Sequence, residues 1–166
     1  MIVVVMGVTG SGKTTIGELL ADRLSAEFAD ADDYHPLANK QKMAAGHPLT
    51  DADREPWLDE LNRLLRRWLE TGKSGILACS ALKASYRTIL ESGIPRAAIT
   101  FVLLEGSKEL IAQRLAHRTH EYMNPNLLDS QLATLERPSD ALCIVNDRTP
   151  DEVVSQILTH ISPVRN

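Results

Sequence analysis

Two short stretches of this chain carry residue types whose spacing suits phosphate chemistry. The first is Gly7-Val8-Thr9-Gly10-Ser11-Gly12-Lys13-Thr14, a full match to G-x-x-x-x-G-K-[ST] set between a strand-like run and a helix-like one. Glycines let the backbone curl so that successive N–H groups converge, and the following helix adds its positive N-terminal end. Lys13 is placed to reach the β- and γ-phosphates of a nucleoside triphosphate, and the Thr14 hydroxyl to bind Mg²⁺. The phosphate-binding set is therefore Gly7, Thr9, Gly10, Ser11, Gly12, Lys13, Thr14 and Thr15.

The second stretch is FADADDYHP, residues 28–36, which packs Asp30, Asp32, Asp33 and His35 into six positions. Like charges so close repel, so a metal or basic partners must offset them if the cluster is functional. Asp30 and Asp32 are two apart and share one face of an extended strand, while Asp33 points away. A carboxylate here can accept a proton from, or align, a hydroxyl attacking the γ-phosphoryl group, a role worth about 10²–10⁴ in rate. A second carboxylate can hold a water on Mg²⁺. Spacing alone does not single out which of the three is the base.

Cations recur further on. Lys42 and Arg54 flank a Gly-His-Pro turn, and CSALKASYR, residues 79–87, follows the third strand-like run. Ser80 is expected to cap a helix there, which puts Lys83 in its first turn, against the helix dipole. Lys83 and Arg87 are four apart and share a face. Positive charge held against a dipole suggests an anion nearby.

The elements that must position these residues alternate. Strands are expected at 2–6, 27–31, 75–80, 98–104 and 141–145, as continuous apolar runs covered on both faces. Helices are expected near 13–25, 52–71, 82–92, 107–119, 126–136 and 150–161. In the 52–71 helix Trp57, Leu58, Leu61, Leu64, Leu65, Trp68 and Leu69 recur at three- and four-residue steps, so the tryptophans read as core. Thr149-Pro150-Asp151-Glu152 reads as a capping box opening the last helix. Alternation of this kind implies a parallel sheet with ligands beyond the C-terminal strand ends, which puts the phosphate loop and the aspartates on one rim.

With 166 residues, 43% apolar and 24% charged, the chain fits one soluble α/β domain. Its net charge of −4 argues against a nucleic-acid partner. The apolar N-terminal run is too short for an export signal or a membrane span. Cys79 and Cys143 lack metal-type spacing and read as reduced thiols, as in the cytoplasm. A guanine-specific switch would carry N-K-x-D after a late strand, where this chain has Val145-Asn146-Asp147-Arg148-Thr149, so adenine is expected. The length leaves no room for motor or helicase domains. Small kinases remain.

Behind GVTGSGKT, the blocks DADDYHP, NKQKMAAGHPLTDADREPWL, CSALKASYR and LLDSQLATLERP appear in that order, and over residues 3–138 the chain resembles the gluconokinase family of small P-loop sugar-acid kinases. The resemblance implies a three-layer α/β/α P-loop fold like that of nucleoside monophosphate kinases, with a five-stranded parallel sheet. It implies one kinase domain spanning 1–166, with an acceptor-binding region at about 33–60 and a lid at about 114–128. It implies transfer of the γ-phosphoryl group of ATP, with Mg²⁺, to the 6-hydroxyl of D-gluconate. Asp32 would then be the base and Asp30 a metal or water ligand. Asp33, His35, Lys42, Arg54, Ser80, Lys83, Arg87 and Gln131 would face the acceptor. Arg114 and Arg118 would close over ATP and neutralise charge during transfer. The family usually reads Arg-Lys-Gly-His-Phe-Met after the lid arginines; this chain has Arg118-Thr119-His120-Glu121-Tyr122-Met123. A homodimer is implied by the resemblance alone.

Shikimate, adenylylsulfate and nucleoside monophosphate kinases share the phosphate loop. This chain lacks the paired glycine-rich acceptor loop of the first, and no nucleobase-reading arrangement lies between its second and third strands. A non-catalytic ATP-binding module would carry a degraded set, whereas Lys13, Thr14, Asp32 and both arginines are present.

Overall fold

A computed structural model describes residues 1–117 and 125–161, with only the backbone at 125 and 126. Among these residues five strands form one parallel sheet: β1 (Ile2–Met6), β2 (Glu27–Asp30), β3 (Gly75–Ala78), β4 (Ile99–Glu105) and β5 (Leu142–Val145), in the order β2-β3-β1-β4-β5. The helices are α1 (Lys13–Leu24), α2 (Leu37–Ala44), α3 (Asp51–Glu70), α4 (Ala84–Leu90), α5 (Lys108–Ala116), α6 (Pro125–Thr134) and α7 (Pro150–Ile161).

The period-two geometry of β1 explains the three layers. Ile2, Val4 and Met6 enter a core with Trp57, Leu58, Leu61, Leu65 and Trp68 of α3, while Val3 and Val5 join Ile16 and Leu20 of α1 and Val153, Val154 and Ile157 of α7. Helices thus cover both faces, and every residue of the central strand is buried. Trp68 lies so close to β3 that a Cβ at Gly75 would stand 2.0 Å from its ring.

Four expectations shift. The second strand stops at Asp30 rather than at 31, because Asp30 Oδ1 accepts from Asp32 N–H at 3.0 Å and turns the chain into a 3-10 helix over Ala31–Tyr34. Asp30 and Asp32 therefore do not share a strand face; a turn brings them together. The third strand ends at Ala78, not 80. Ser80 is not a helix cap, and Lys83 is not in the first turn. Ala81 adopts a left-handed φ of 47°, the Leu82 carbonyl is taken by Glu136 N–H, and Lys83 is the extended residue just before α4. Lys83 is thus the N-cap of a seven-residue helix rather than part of its first turn. Finally, α2 had no helical signal in the sequence, because Asn39 is the one buried residue on it and no apolar stripe exists.

Candidate active site

The loop from Gly7 to Gly12 leaves β1 at the centre of the sheet and feeds α1. Gly12, at φ 96°, is the tightest point: a Cβ there would stand 2.4 Å from Asn146 Nδ2. Gly7 and Gly10 are also crowded, by Leu104 and Ser11 on one side and Leu115 on the other. Side chains at these points would fill the cradle or displace its neighbours.

A cavity of about 270 Å³ opens over this loop, lined by Thr9, Gly10, Gly12, Lys13, Thr14, Asp30, Asp32, Ala78, Cys79, Ser80 and Gln131. The ends of β1, β2 and β3 thus bring the phosphate loop and two of the three clustered aspartates into one space. Thr14 Oγ1 donates to Asp30 Oδ2 at 3.0 Å, and Lys13 Nζ donates to the Val8 carbonyl at 3.0 Å. Asp33 is exposed and lies outside that lining. Cys79 is buried, which pushes its thiol up to about 12 and leaves it un-ionised.

On the other side of the loop a second cavity of about 310 Å³ is lined by Gly10, Gly12, Thr15, Ile16, Arg114, Asn146, Arg148 and Pro150. Asn146 is buried and ties the region together: its amide donates to the Ser11 carbonyl at 2.8 Å, and its carbonyl accepts from Arg114 Nη2. Among the described residues, Arg114 Nη1 and Ser11 Oγ are buried with no hydrogen-bond partner. A buried guanidinium nitrogen left unsatisfied beside a cavity is a place for an acceptor on a ligand. The sequence marks Asn146 only as part of the Val145–Thr149 run that argues against guanine, and its place between Ser11 and Arg114 comes from the fold. Arg118, His120 and Glu121 lie outside the described residues, as does the middle of the 114–128 segment.

The cations that the sequence expects to face an acceptor are held by acids. Lys42 meets Asp53 at 2.6 Å, Lys83 meets Asp51 at 3.1 Å, and Arg54 lies 4.0 Å from Asp51 while donating to the Leu49 carbonyl. Tyr86 donates its hydroxyl to Asp51 at 2.5 Å, and this bond first, then those from Lys83, holds the Asp51 carboxyl below its ordinary value. Asp53 also closes the capping box with Thr50 that starts α3; with the Lys42 bond leading, its pKa falls to about 2. Asp51 and Asp53 were missed, and the Thr50-x-x-Asp53 capping signature was the signal for the second.

His35 stacks on Trp57 with ring centroids 4.2 Å apart, and its Nδ1 lies 3.3 Å from Asn39 Nδ2. Burial foremost, then the charges of Arg54 and Lys40, lowers its pKa, so the ring is neutral with Nδ1 accepting and Nε2–H left to donate. Trp57 Nε1 donates to the Ala31 carbonyl at 2.7 Å and pins the turn that carries Asp32. Arg87 is buried and donates to the Ala81 and Glu136 carbonyls, away from the lining of either cavity. Gln131 faces the phosphate loop, where its Oε1 accepts from Thr9 N–H at 2.6 Å.

Among the described residues no group of three or more His, Cys, Asp or Glu could hold a metal ion, and no helix is long and apolar enough to cross a membrane. Comparison with known proteins fits this geometry. The family model described as shikimate kinase matches residues 9–162. A probable gluconokinase of Dictyostelium discoideum is 41% identical, with 97% of this chain and 86% of that protein covered. A gluconokinase of Gluconobacter oxydans is 44% identical, with coverages of 95% and 89%. A crystal structure of a gluconokinase from Sinorhizobium meliloti superposes with a TM-score of 0.82 at 40% identity, covering 95% of this chain and 89% of that one.

Proposed function

This chain belongs to the gluconokinase family, and with it to the wider shikimate kinase family, and on that premise we propose that it transfers the γ-phosphoryl group of ATP to the 6-hydroxyl of D-gluconate, giving 6-phospho-D-gluconate and ADP. The observation that carries the chemistry is the shared cavity, which Lys13, Thr14 and Asp32 line together.

In this reading the phosphate loop binds the triphosphate through its N–H groups, and the base and ribose lie toward Arg114, Arg148 and Pro150. Asp32 accepts the proton of the 6-hydroxyl as its oxygen bonds to the γ-phosphorus. The bond from that phosphorus to the β-bridging oxygen breaks, and the electron pair leaves with ADP while Lys13 offsets the charge. Thr14 and Asp30, two oxygen donors in contact, fit a hard cation that draws its other ligands from phosphates and water, as Mg²⁺ does. Bound there, Mg²⁺ would neutralise charge on the phosphates.

The acceptor's carboxylate lies at the far end of a six-carbon chain from the reacting hydroxyl, so its partners belong away from the phosphate loop. Lys42, Arg54 and Lys83 around the start of α3 suit it, with the His35 Nε2–H as a neutral donor for a sugar hydroxyl. We carry the chain as one kinase domain with its acceptor region at 33–60 and a closing segment at 114–128. The free thiols of Cys79 and Cys143 support a cytoplasmic setting. A homodimer is part of the same reading, and light scattering at working concentration tests it.

An ATP-coupled assay over gluconate, shikimate, adenylylsulfate and nucleoside monophosphates tests the substrate. Turnover with gluconate above the others is expected. Turnover with another acceptor and none with gluconate would sink the reading.

A further inference from the structure

The Val8–Thr9 peptide is held from both sides. Its carbonyl accepts from Lys13 Nζ at 3.0 Å, and its N–H donates to Gln131 Oε1 at 2.6 Å. A P-loop lysine reaches the β- and γ-phosphates, so this peptide stands beside the place of the terminal phosphate. Gln131 comes from α6, 122 residues away in the chain. Its amide oxygen and a phosphate oxygen are both acceptors, and a single N–H cannot serve both at full strength. A carboxamide has an answer that a carboxylate lacks: rotated, it offers its NH₂ to the phosphate.

The C-terminal end of α6 is fastened to the acceptor side. Glu136 N–H donates to the Leu82 carbonyl at 2.8 Å, and Arg87 bridges the Ala81 and Glu136 carbonyls at 2.7 and 2.8 Å. Ala81 and Leu82 lead directly into Lys83, which is bonded to Asp51 at the start of α3. The segment from Gln131 to Glu136 thus has a firm end on the acceptor loop, an apolar anchor where Leu135 packs on the cluster that holds Val8, and at Gln131 a polar bond to the phosphate loop.

We propose that Gln131 is a positioning residue that distinguishes a nucleoside triphosphate from a diphosphate. With no terminal phosphate its Oε1 holds the Thr9 N–H; with one, the phosphate takes that N–H and the rotated carboxamide donates to it. This orients the phosphoryl group from the side already tied to the acceptor loop. The proposal rests on the nucleotide part of the proposed function and not on the identity of the acceptor.

The test is calorimetric, without acceptor, using ADP and the β,γ-imido analogue of ATP. Gln131→Glu should weaken the analogue by about 10-fold or more through a stronger bond to Thr9 and repulsion of phosphate, with ADP changed less than about 3-fold. Gln131→Ala loses both the competitor and the donor, so its affinities should stay near those of the unaltered protein while kcat falls about 10-fold. Melting temperatures near that of the parent should accompany both, since a purely structural role would lower stability and weaken both nucleotides alike. Equal weakening of ADP and analogue in Gln131→Glu, or no change in either, would overturn the proposal, as would an unchanged kcat in Gln131→Ala. If the parent protein does not phosphorylate gluconate at all, the acceptor assignment fails while the binding comparison still decides the role of Gln131.

Discussion

The phosphate loop and the acceptor wall lie on one rim of the sheet but are built on opposite plans. The loop takes its grip from eight successive residues, Gly7 to Thr14, mostly through backbone N–H groups whose direction is set by chain geometry. The wall takes its cations from separate elements, Lys42 on α2, Arg54 on α3 and Lys83 before α4, and each is paired with an aspartate at the start of α3. Backbone dipoles need no counter-ion when no ligand is bound. Flexible ammonium and guanidinium groups do, and Asp51 and Asp53 hold them in place; in the proposed reading an anionic acceptor would share these cations. Preorganisation is thus steric on one side of the transfer point and electrostatic on the other.

Asp32 stands where the two plans meet, and removing its charge should have the largest effect. Asp32→Asn is expected to lower turnover by about 10²–10⁴ while ATP affinity stays within a few-fold, read by single-turnover kinetics beside calorimetry. Equal turnover would take Asp32 out of the chemistry. Next comes the steric side. Gly12→Ala forces a left-handed φ of 96° on a residue with a Cβ and drives that atom against Asn146. Nucleotide affinity should drop by about 10-fold or more, with gluconate affinity little altered. Loss of both equally would mean that the regions are not separable.

On the electrostatic side, Lys83→Met should raise the KM for gluconate about 10-fold and leave the KM for ATP nearly unchanged, since one charge-assisted contact is removed. A matching rise for ATP would erase the contrast. The smallest effect expected is on stability in acid. Asp53 has a folded pKa of about 2 against 3.8 unperturbed, so its contribution is present above pH 3.8 and lost as pH falls through 2. Thermal melts from pH 5 down to 2 should therefore fall more steeply for the parent than for Asp53→Asn. Parallel curves would mean that the Lys42 pair and the cap contribute nothing in solution.

Legibility followed the same division. The phosphate loop could be read whole because its function resides in consecutive residues and in the glycines that free their backbone. Apolar runs marked β1, β3 and β4, the inner strands covered on both faces, whereas β2 (Glu27–Asp30) and β5 (Leu142–Val145) stand at the sheet edges and are only partly buried. The acceptor wall was half legible. Its cations stood out by type, but their partners Asp51 and Asp53 looked like ordinary first-turn helix acids, and the cation–acid pairs form only when α2, α3 and the loop before α4 come together. The expected cap at Ser80 failed for a related reason: the Glu136 N–H that takes the Leu82 carbonyl comes from more than fifty positions away.

The sequence by itself determined the nucleotide grip, the alternating fold and the rim on which the aspartates would stand, because each depends on local backbone freedom or on hydrophobic period. Only the tertiary structure decided that a turn, and not a strand face, unites Asp30 with Asp32. It also turned Arg87 inward onto two carbonyls and set Gln131 against Thr9. Those outcomes depend on where distant donors and acceptors find one another once the core has closed, and a hydrogen bond between remote residues leaves no periodic trace in the chain.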